Sequence, residues 1–443
     1  MNVREALASA SETKVYESGE GVIDLLPRIL RDHFGGQAAI IVADENTLAA
    51  AGERVGQVIT HGGGRVASVV TFPGKPILHA EYHHIESLRE RLRPLEGVPV
   101  AVGGGTVNDL VKRASWELGR RYVCVATAAS VDGYTSFGAA IVKDGFKQTL
   151  ECDAPFATLG ESEVLVRAPA SMNAAGYGDL LAKVYAGADW VLADELAIHP
   201  IHPTAWRMVQ EELRSWTADP AGVAHRNPHA ISTLFSGLAV TGFAMQAIRD
   251  SRPASGAEHL LSHVWEMEGL EKDGESVSHG FKVALGSLGS CALYELFLDF
   301  DIESLDIDSL VRRSVSWETR KAEIELRIGK RPYAPQMIEQ SRKKFVSGQD
   351  LRERLERLRA RWNPLKRRLR EQLIPYAKSR DLLEQAGCPV RPEDIALTRE
   401  HAVATFDLAQ MMRQRYTALD AAYELGMLDE WKNRIAASDL YWR

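Results

Sequence analysis

Two histidines stand four apart in G256-A-E-H-L-L-S-H263, so a helix there places His259 and His263 on one face. His279 follows sixteen residues later in V277-S-H-G280, and a carboxylate, Asp179, lies upstream in A175-G-Y-G-D179. One carboxylate and two or three imidazoles drawn from distant segments can close around one divalent ion. The order is EHLLSH rather than HExxH, which disfavours a zincin. Two simpler readings compete. Each histidine can be a hydrogen-bonded core or surface residue, and Asp179 beside its glycines can be a turn and helix cap. The pair in H199-P-I-H202-P is a rival ligand set, although its prolines suggest a rigid loop.

A second constellation suits a cofactor. In V102-G-G-G-T-V-N-D-L-V-K112, Gly103, Gly104, Gly105 and Thr106 follow a strand-like run and open a helix-like one. Glycines let a backbone approach a ligand, and the first helical N–H groups point at it, which fits a dinucleotide pyrophosphate. The motif is not GxGxxG and does not follow the first strand, and a triple glycine can also serve tight packing alone. Asp44 ends an earlier strand, where it can accept from an adenosine ribose hydroxyl or cap a helix. Asp109 can meet the same ligand or complete a capping box with Thr106. Thr127, Ser130, Asp132 and Ser136 lie in T127-A-A-S-V-D-G-Y-T-S136, a small polar loop after another strand. Open α/β sheets bind substrate and nicotinamide at such loops. A metal that lowers an alcohol pKa and a nicotinamide that takes the hydride make consistent chemistry. No GxSxG and no loop ending in GK[ST] is present, so hydrolase and ATPase readings lack support.

These residues need elements to hold them. Residues 37–43, 98–105 and 121–127 read as apolar strands, with glycines ending the second. Residues 55–60 and 68–71 carry further β-branched residues. HHIESLRERLRPL and TVNDLVKRASWELG read as helices, with Gly119 near the C-cap of the latter. This alternation predicts a parallel sheet with helices on its faces. Long helical patterns dominate from about residue 165, which predicts an α/β domain over 1–165 and an all-helical domain over 166–443. Residues 346–375 read as a charged amphipathic helix pair broken at Pro364. Its run K366-R367-R368-L369-R370 reads as a solvated face, with anion attraction as the alternative.

The 443 residues leave room for two or three cores, and 45% hydrophobic with 26% charged residues is ordinary globular composition. A net charge of -7 gives no reason to expect a nucleic-acid partner. The N-terminus lacks a signal-peptide pattern, and no uninterrupted apolar run approaches the ~18 residues of a membrane helix, so a cytoplasmic location is expected. Cys124, Cys152, Cys291 and Cys388 form no CxxC and read as buried thiols.

Taken together, GGGTVNDLVK, TAASVDGYTS, GFKQT at 145–149, AGYGDLLAK, ASGAEHLLSH, HG at 279–280 and RYTALDAAYELGML at 415–428 resemble the iron-containing alcohol dehydrogenase superfamily. Within it the chain is most similar to the sn-glycerol-1-phosphate dehydrogenases, notably the bacterial AraM-type branch. The resemblance implies a dehydroquinate synthase-like architecture: an N-terminal dinucleotide-binding domain with a parallel sheet, an all-helical C-terminal domain, and the active site between them. It implies Asp179, His259 and His279 as ligands of one divalent metal (zinc or nickel, iron in some relatives), with His263 near substrate and nicotinamide. It places GGGTVND on the pyrophosphate, Asp44 on the ribose, and Thr127, Ser130 and Asp132 beside the nicotinamide. The implied reaction is reversible reduction of dihydroxyacetone phosphate to sn-glycerol 1-phosphate with NADH or NADPH, Asp44 favouring NADH. Lys147 and Lys183 are candidates for the substrate phosphate or its surroundings. A homodimer or larger oligomer is implied, with a glycerol or other polyol dehydrogenase as the alternative and a non-catalytic NAD-binding protein further off. The chain departs from that pattern at Ala129, where proline is common, at GESEVLVRAP, which lacks an expected aspartate, and at a longer, more basic region over about 335–400.

Overall fold

The computed structural model describes residues 1–442. Six strands form one parallel sheet: β1 (Val15–Gly19), β2 (Ala39–Asp44), β3 (Val66–Phe72), β4 (Val98–Gly103), β5 (Val123–Ala126) and, after a hairpin, β8 (Ala157–Glu161). Their order is β1-β8-β5-β4-β2-β3, and every neighbouring pair is parallel. β4, β5 and β8 are buried throughout and β2 all but its last residue, because helices or loops cover both faces; this is why they read as unbroken apolar runs.

The chain leaves β2 toward β3 on one side and leaves β4 toward β5 on the other. Connections therefore diverge between β2 and β4, and a crevice opens at the carboxyl ends of those two strands. Asp44 ends β2 and Gly103 ends β4.

Of the two β-branched runs, 68–71 lies in β3, but 55–60 lies in the helix Glu53–His61. Val55 and Ile59 sit four apart on its buried face, so helical spacing prevails over β-propensity there. The hairpin joins β6 (Ala139–Lys143) to β7 (Phe146–Leu150) through Asp144 and Gly145, at φ 53° and 75°. Those values suit the tight turn such hairpins prefer.

Among the described residues beyond β8, the regular structure is helical except for a two-residue antiparallel ribbon, Glu271–Lys272 with Glu275–Ser276. The expected helical second half is thus observed, with this small ribbon as its departure from helix and loop. Two 21-residue helices, Pro228–Ile248 and His279–Asp299, are long and apolar enough by composition to cross a membrane, although polar residues interrupt both, so neither is the unbroken apolar run whose absence the sequence showed. Most of each helix is buried inside the protein, and a helix packed on all sides needs apolar residues all round.

The charged pair breaks at Arg361, between Gly348–Ala360 and Trp362–Gln372. Pro364 falls in the first turn of the second helix, where its missing N–H costs nothing. Arg361 and Arg368 reach back to Glu195 at 2.8 and 2.7 Å, and Arg368 also meets Asp194 at 2.9 Å. The arginine at the centre of the basic run is thus spent on the end of the helix Lys183–Glu195. All four cysteines are buried and free.

Candidate active site

Asp179 sits in the last turn of the helix Ala170–Leu181 and is fully buried, so it is not the turn or cap that its glycines suggested. Those glycines set how close the neighbours come. A Cβ on Gly176 would lie 1.8 Å from the Ala129 carbonyl oxygen, and one on Gly178 would lie 2.8 Å from the Gly280 carbonyl oxygen. On the facing helix a Cβ on Gly280 would lie 2.0 Å from the Ala175 oxygen, and one on Gly286 would lie 2.3 Å from the Glu258 oxygen. Backbone meets backbone at each point. The three helices Ala170–Leu181, Ala257–Met267 and His279–Asp299 therefore hold Asp179, His259 and His279 at fixed separations.

One ligand atom from each of these three residues lies within 4.8 Å of the others. His259 Nε2 is 3.4 Å from Asp179 Oδ1. The other ring nitrogen of each histidine is taken: His259 Nδ1 lies 2.7 Å from Glu258 Oε1, and His279 Nδ1 lies 2.7 Å from Glu266 Oε1. A carboxylate on Nδ1 holds the proton there and leaves Nε2 as the free lone pair, which is how metal-binding imidazoles are oriented. The donor set and its carboxylate backing fit a divalent cation. Neither glutamate was expected. Glu266 is three residues beyond His263 on the same helix, but spacing alone does not say which carboxylate an imidazole will find.

His263 belongs to a second, overlapping group with Glu266 and His279. Burial and the nearby Arg413 hold its pKa well below the usual imidazole value, and its Nδ1 is buried without a hydrogen-bond partner. The rival pair is not part of either group. His202 Nδ1 accepts from Ala205 N as a helix cap.

Lys183 is fully buried and lies 2.7 Å from both Asp179 Oδ1 and Asp132 Oδ2. Its ammonium is consumed by two carboxylates, which corrects its candidacy as a phosphate ligand. Burial opposes ionisation of Asp179, but Lys183 and then His259 outweigh it and hold the carboxyl well below its ordinary range. Asp132 is pushed up by burial and by Asp179, against the pull of Lys183. The Asp132 N–H donates to Asp179 Oδ2 at 2.9 Å, tying the loop after β5 directly to the site.

The rest of that loop is held from two sides. Lys112 donates to the carbonyls of Gly133, Ser136 and Gly138 at 2.8–3.0 Å and to Ser136 Oγ at 3.3 Å. Ser136 is thus occupied internally. Ser130 Oγ pairs with Tyr134 OH at 3.2 Å, and the Thr127 N–H donates to Gly103 O at 3.1 Å. The Ala129 N–H, which a proline would lack, donates to Asn173 Oδ1 at 3.1 Å.

In the glycine turn, Cβ atoms on Gly103 and Gly105 would collide with Val107 and Val131 at 2.6 and 2.7 Å. A Cβ on Gly104 would meet only Met172, at an ordinary 3.5 Å. Two of the glycines thus serve packing, and Gly104, at the N-cap of the helix Gly105–Glu117, has no such duty. Thr106 opens that helix's first turn. The predicted Thr106–Asp109 capping box is absent, because the N-cap is Gly104. Asp109 instead accepts from Ala140 N at 3.2 Å and lies 3.3 Å from Lys112. Asp44 caps the turn Glu45–Thr47, accepting from Thr47 N at 2.8 Å through Oδ1.

Behind the metal-ligand helix, Asp189 accepts from Ala257 N, Ala418 N and Tyr294 OH at 2.7, 2.8 and 2.6 Å. Burial and the neighbouring Glu258 raise its pKa to about 7. A carboxyl whose folded pKa exceeds its unfolded value contributes stability that is complete below about pH 4 and lost as pH rises through about 7. The Asp189→Asn protein should lack this component. Denaturant titrations from pH 4.5 to 8 should show a slope, up to about 1.4 kcal/mol per pH unit, that is present in the parent and reduced in the variant. Equal slopes would mean that Asp189 is ionised throughout.

The comparisons with known proteins agree with this geometry. The family pattern described as iron-containing alcohol dehydrogenase matches residues 17–169. A glycerol-1-phosphate dehydrogenase [NAD(P)+] of Halalkalibacterium halodurans is 37% identical over 278 residues, spanning 62% of this chain and 69% of that protein. One from Bacillus licheniformis is 32% identical over 65% of this chain and 71% of its own length. The crystal structure of glycerol dehydrogenase from Schizosaccharomyces pombe shares the fold, with a TM-score of 0.57, 15% identity and coverage of 96% and 91% of the two chains. A parallel nucleotide-binding sheet followed by a helical domain with an Asp-His-His cluster defines a metal-dependent, NAD(P)-linked dehydrogenase. Within that class, the chain belongs to the glycerol-1-phosphate dehydrogenase family of the iron-containing alcohol dehydrogenase superfamily.

Proposed function

We propose that the protein catalyses the reversible, NAD(P)H-dependent reduction of dihydroxyacetone phosphate to sn-glycerol 1-phosphate. The reading rests above all on the Asp179–His259–His279 cluster, whose imidazoles are both backed by carboxylates. Asp179, His259 and His279 would hold one divalent ion, zinc, nickel or iron, which supplies Lewis-acid polarisation of the substrate oxygen. Glu258 and Glu266 keep the two ligand imidazoles in the right tautomer. Lys183 balances the charge of Asp132 and Asp179. His263, neutral and with a free ring nitrogen, is the group placed to exchange a proton with the alcohol oxygen. Gly104 with the first turn of its helix would take the pyrophosphate of a dinucleotide, which supplies the hydride. One oxygen of Asp44 is committed to its cap, and the other is the acceptor for a ribose hydroxyl, which favours NADH over NADPH. A cytoplasmic enzyme of two or more identical subunits accompanies this reading.

The test is NADH oxidation by metal-reconstituted protein, with dihydroxyacetone phosphate and dihydroxyacetone side by side, repeated after chelation. Turnover should require the phosphate, disappear with the chelator and return with added metal. Turnover of the plain ketone alone would make the protein a polyol dehydrogenase instead.

A further inference from the structure

Beside the metal-ligand cluster lies a second concentration of charge. Lys147, on β7, and Lys282, one turn after His279, approach Glu266 to 3.7 and 3.9 Å. Both distances are beyond hydrogen-bond length, although the lysine side chains are only 14% and 7% exposed. Glu266 itself is already engaged by His279 Nδ1 at 2.7 Å. Arg413, half-buried, donates to the Lys147 carbonyl at 3.3 Å. Its neighbour Arg415 is spent elsewhere, on Asp250 at 3.2 Å and on Ser251 and Ser255.

Two lysines thus flank one carboxylate, with Arg413 held against the backbone of one of them, so cationic side chains outnumber the carboxylate three to one in a poorly solvated place. The contrast with Lys183 is informative, since that ammonium sits at 2.7 Å from two carboxylates. Burying an ammonium without close partners is costly unless a ligand supplies them. A phosphate monoester dianion carries the charge and the acceptor oxygens these groups lack. The position also suits the chemistry, because the cluster adjoins His279 and His263 and is closed on one side by the hairpin from the N-terminal half.

We propose that Lys147, Lys282 and Arg413 form the subsite for the substrate's phosphate, with Glu266 holding the two lysines apart while it orients His279. The proposal rests on the phosphorylated-ketone reading above. It makes the hairpin a specificity element: β7 carries Lys147 from the cofactor-binding half onto a site built by the helical half.

The test uses the full-length, metal-reconstituted protein and its K147Q, K282Q and K282R variants, each checked for an unchanged melting curve. Each lost charge-assisted contact should raise KM for dihydroxyacetone phosphate about 10- to 100-fold. The kcat/KM ratio of phosphorylated over unphosphorylated ketone should fall by a similar factor, with partial recovery in K282R. Independently of turnover, calorimetric titration with inorganic phosphate should show binding by the parent that weakens in both glutamine variants. An unchanged KM together with unchanged phosphate binding overturns the subsite while leaving the reaction standing. Lysine-dependent phosphate binding by a protein that reduces neither ketone sustains the subsite and overturns the substrate assignment. If a glutamine variant does not fold, K282R and the parent's phosphate titration decide; a parent that binds no phosphate overturns the proposal.

Discussion

Asp179→Asn is expected to leave the protein folded, depleted of metal and slowed by about three orders of magnitude or more in kcat/KM. Asparagine has the same shape, and its amide oxygen can still accept from the Asp132 N–H. It brings no negative charge, and its NH2 group must face the Lys183 ammonium, a donor on the Oδ1 side. The site therefore loses an anionic ligand and gains a repulsive contact without losing packing volume. Metal content after desalting and the rate with metal in excess would be measured together. A variant that keeps a full equivalent of metal and works within tenfold of the parent would falsify the ligand role of Asp179.

Lys183→Met should give the largest loss of stability. The lysine is fully buried and bridges two buried carboxylates. Removing one member of a buried ionic group leaves uncompensated charge, at a cost of about 3–5 kcal/mol. Here one carboxyl must take up a proton, because Asp132 and Asp179 repel one another once the ammonium is gone. Denaturant unfolding of the metal-free protein should show this loss, and saturating metal should recover part of it by binding only the folded form. A change below about 1 kcal/mol in the metal-free protein would show that Lys183 does not hold this site together.

The parts of the fold legible in the sequence are those where burial acts on a continuous run. β2, β4 and β5 are buried on both faces and read as strands at once. The edge strand β1, VYESG, is half exposed and polar, and β8, ATLGE, is built of small residues, so neither shows a strand signature. The helix at 53–61 hides its i, i+4 pair inside a β-branched string. In the site, the residues that the structure gathers were visible as types and spacings, but their partners were not. Lys183 is four residues after Asp179, which suggests a pair, whereas Asp132 arrives from another domain. Glu258 and Glu266 become meaningful only once the imidazole orientations are known. The glycines at 176, 178, 280 and 286 could be read as flexible; their actual use, admitting carbonyl oxygens from neighbouring segments, depends on tertiary contact.

The loop after β5 has a mechanical allegiance that its position in the chain does not suggest. It begins in the cofactor-binding half, yet it is bolted to the first long helix of the other half by Ala129 N–H to Asn173, by Asp132 N–H to Asp179, and by the bare backbone of Gly176. Lys112, on the helix Gly105–Glu117 of the cofactor-binding half, grips the same loop at the Gly133, Ser136 and Gly138 carbonyls, so the loop is riveted to both halves. The carboxylate of Asp179 is thereby tied to both halves of the protein at once, through the one loop that borders it.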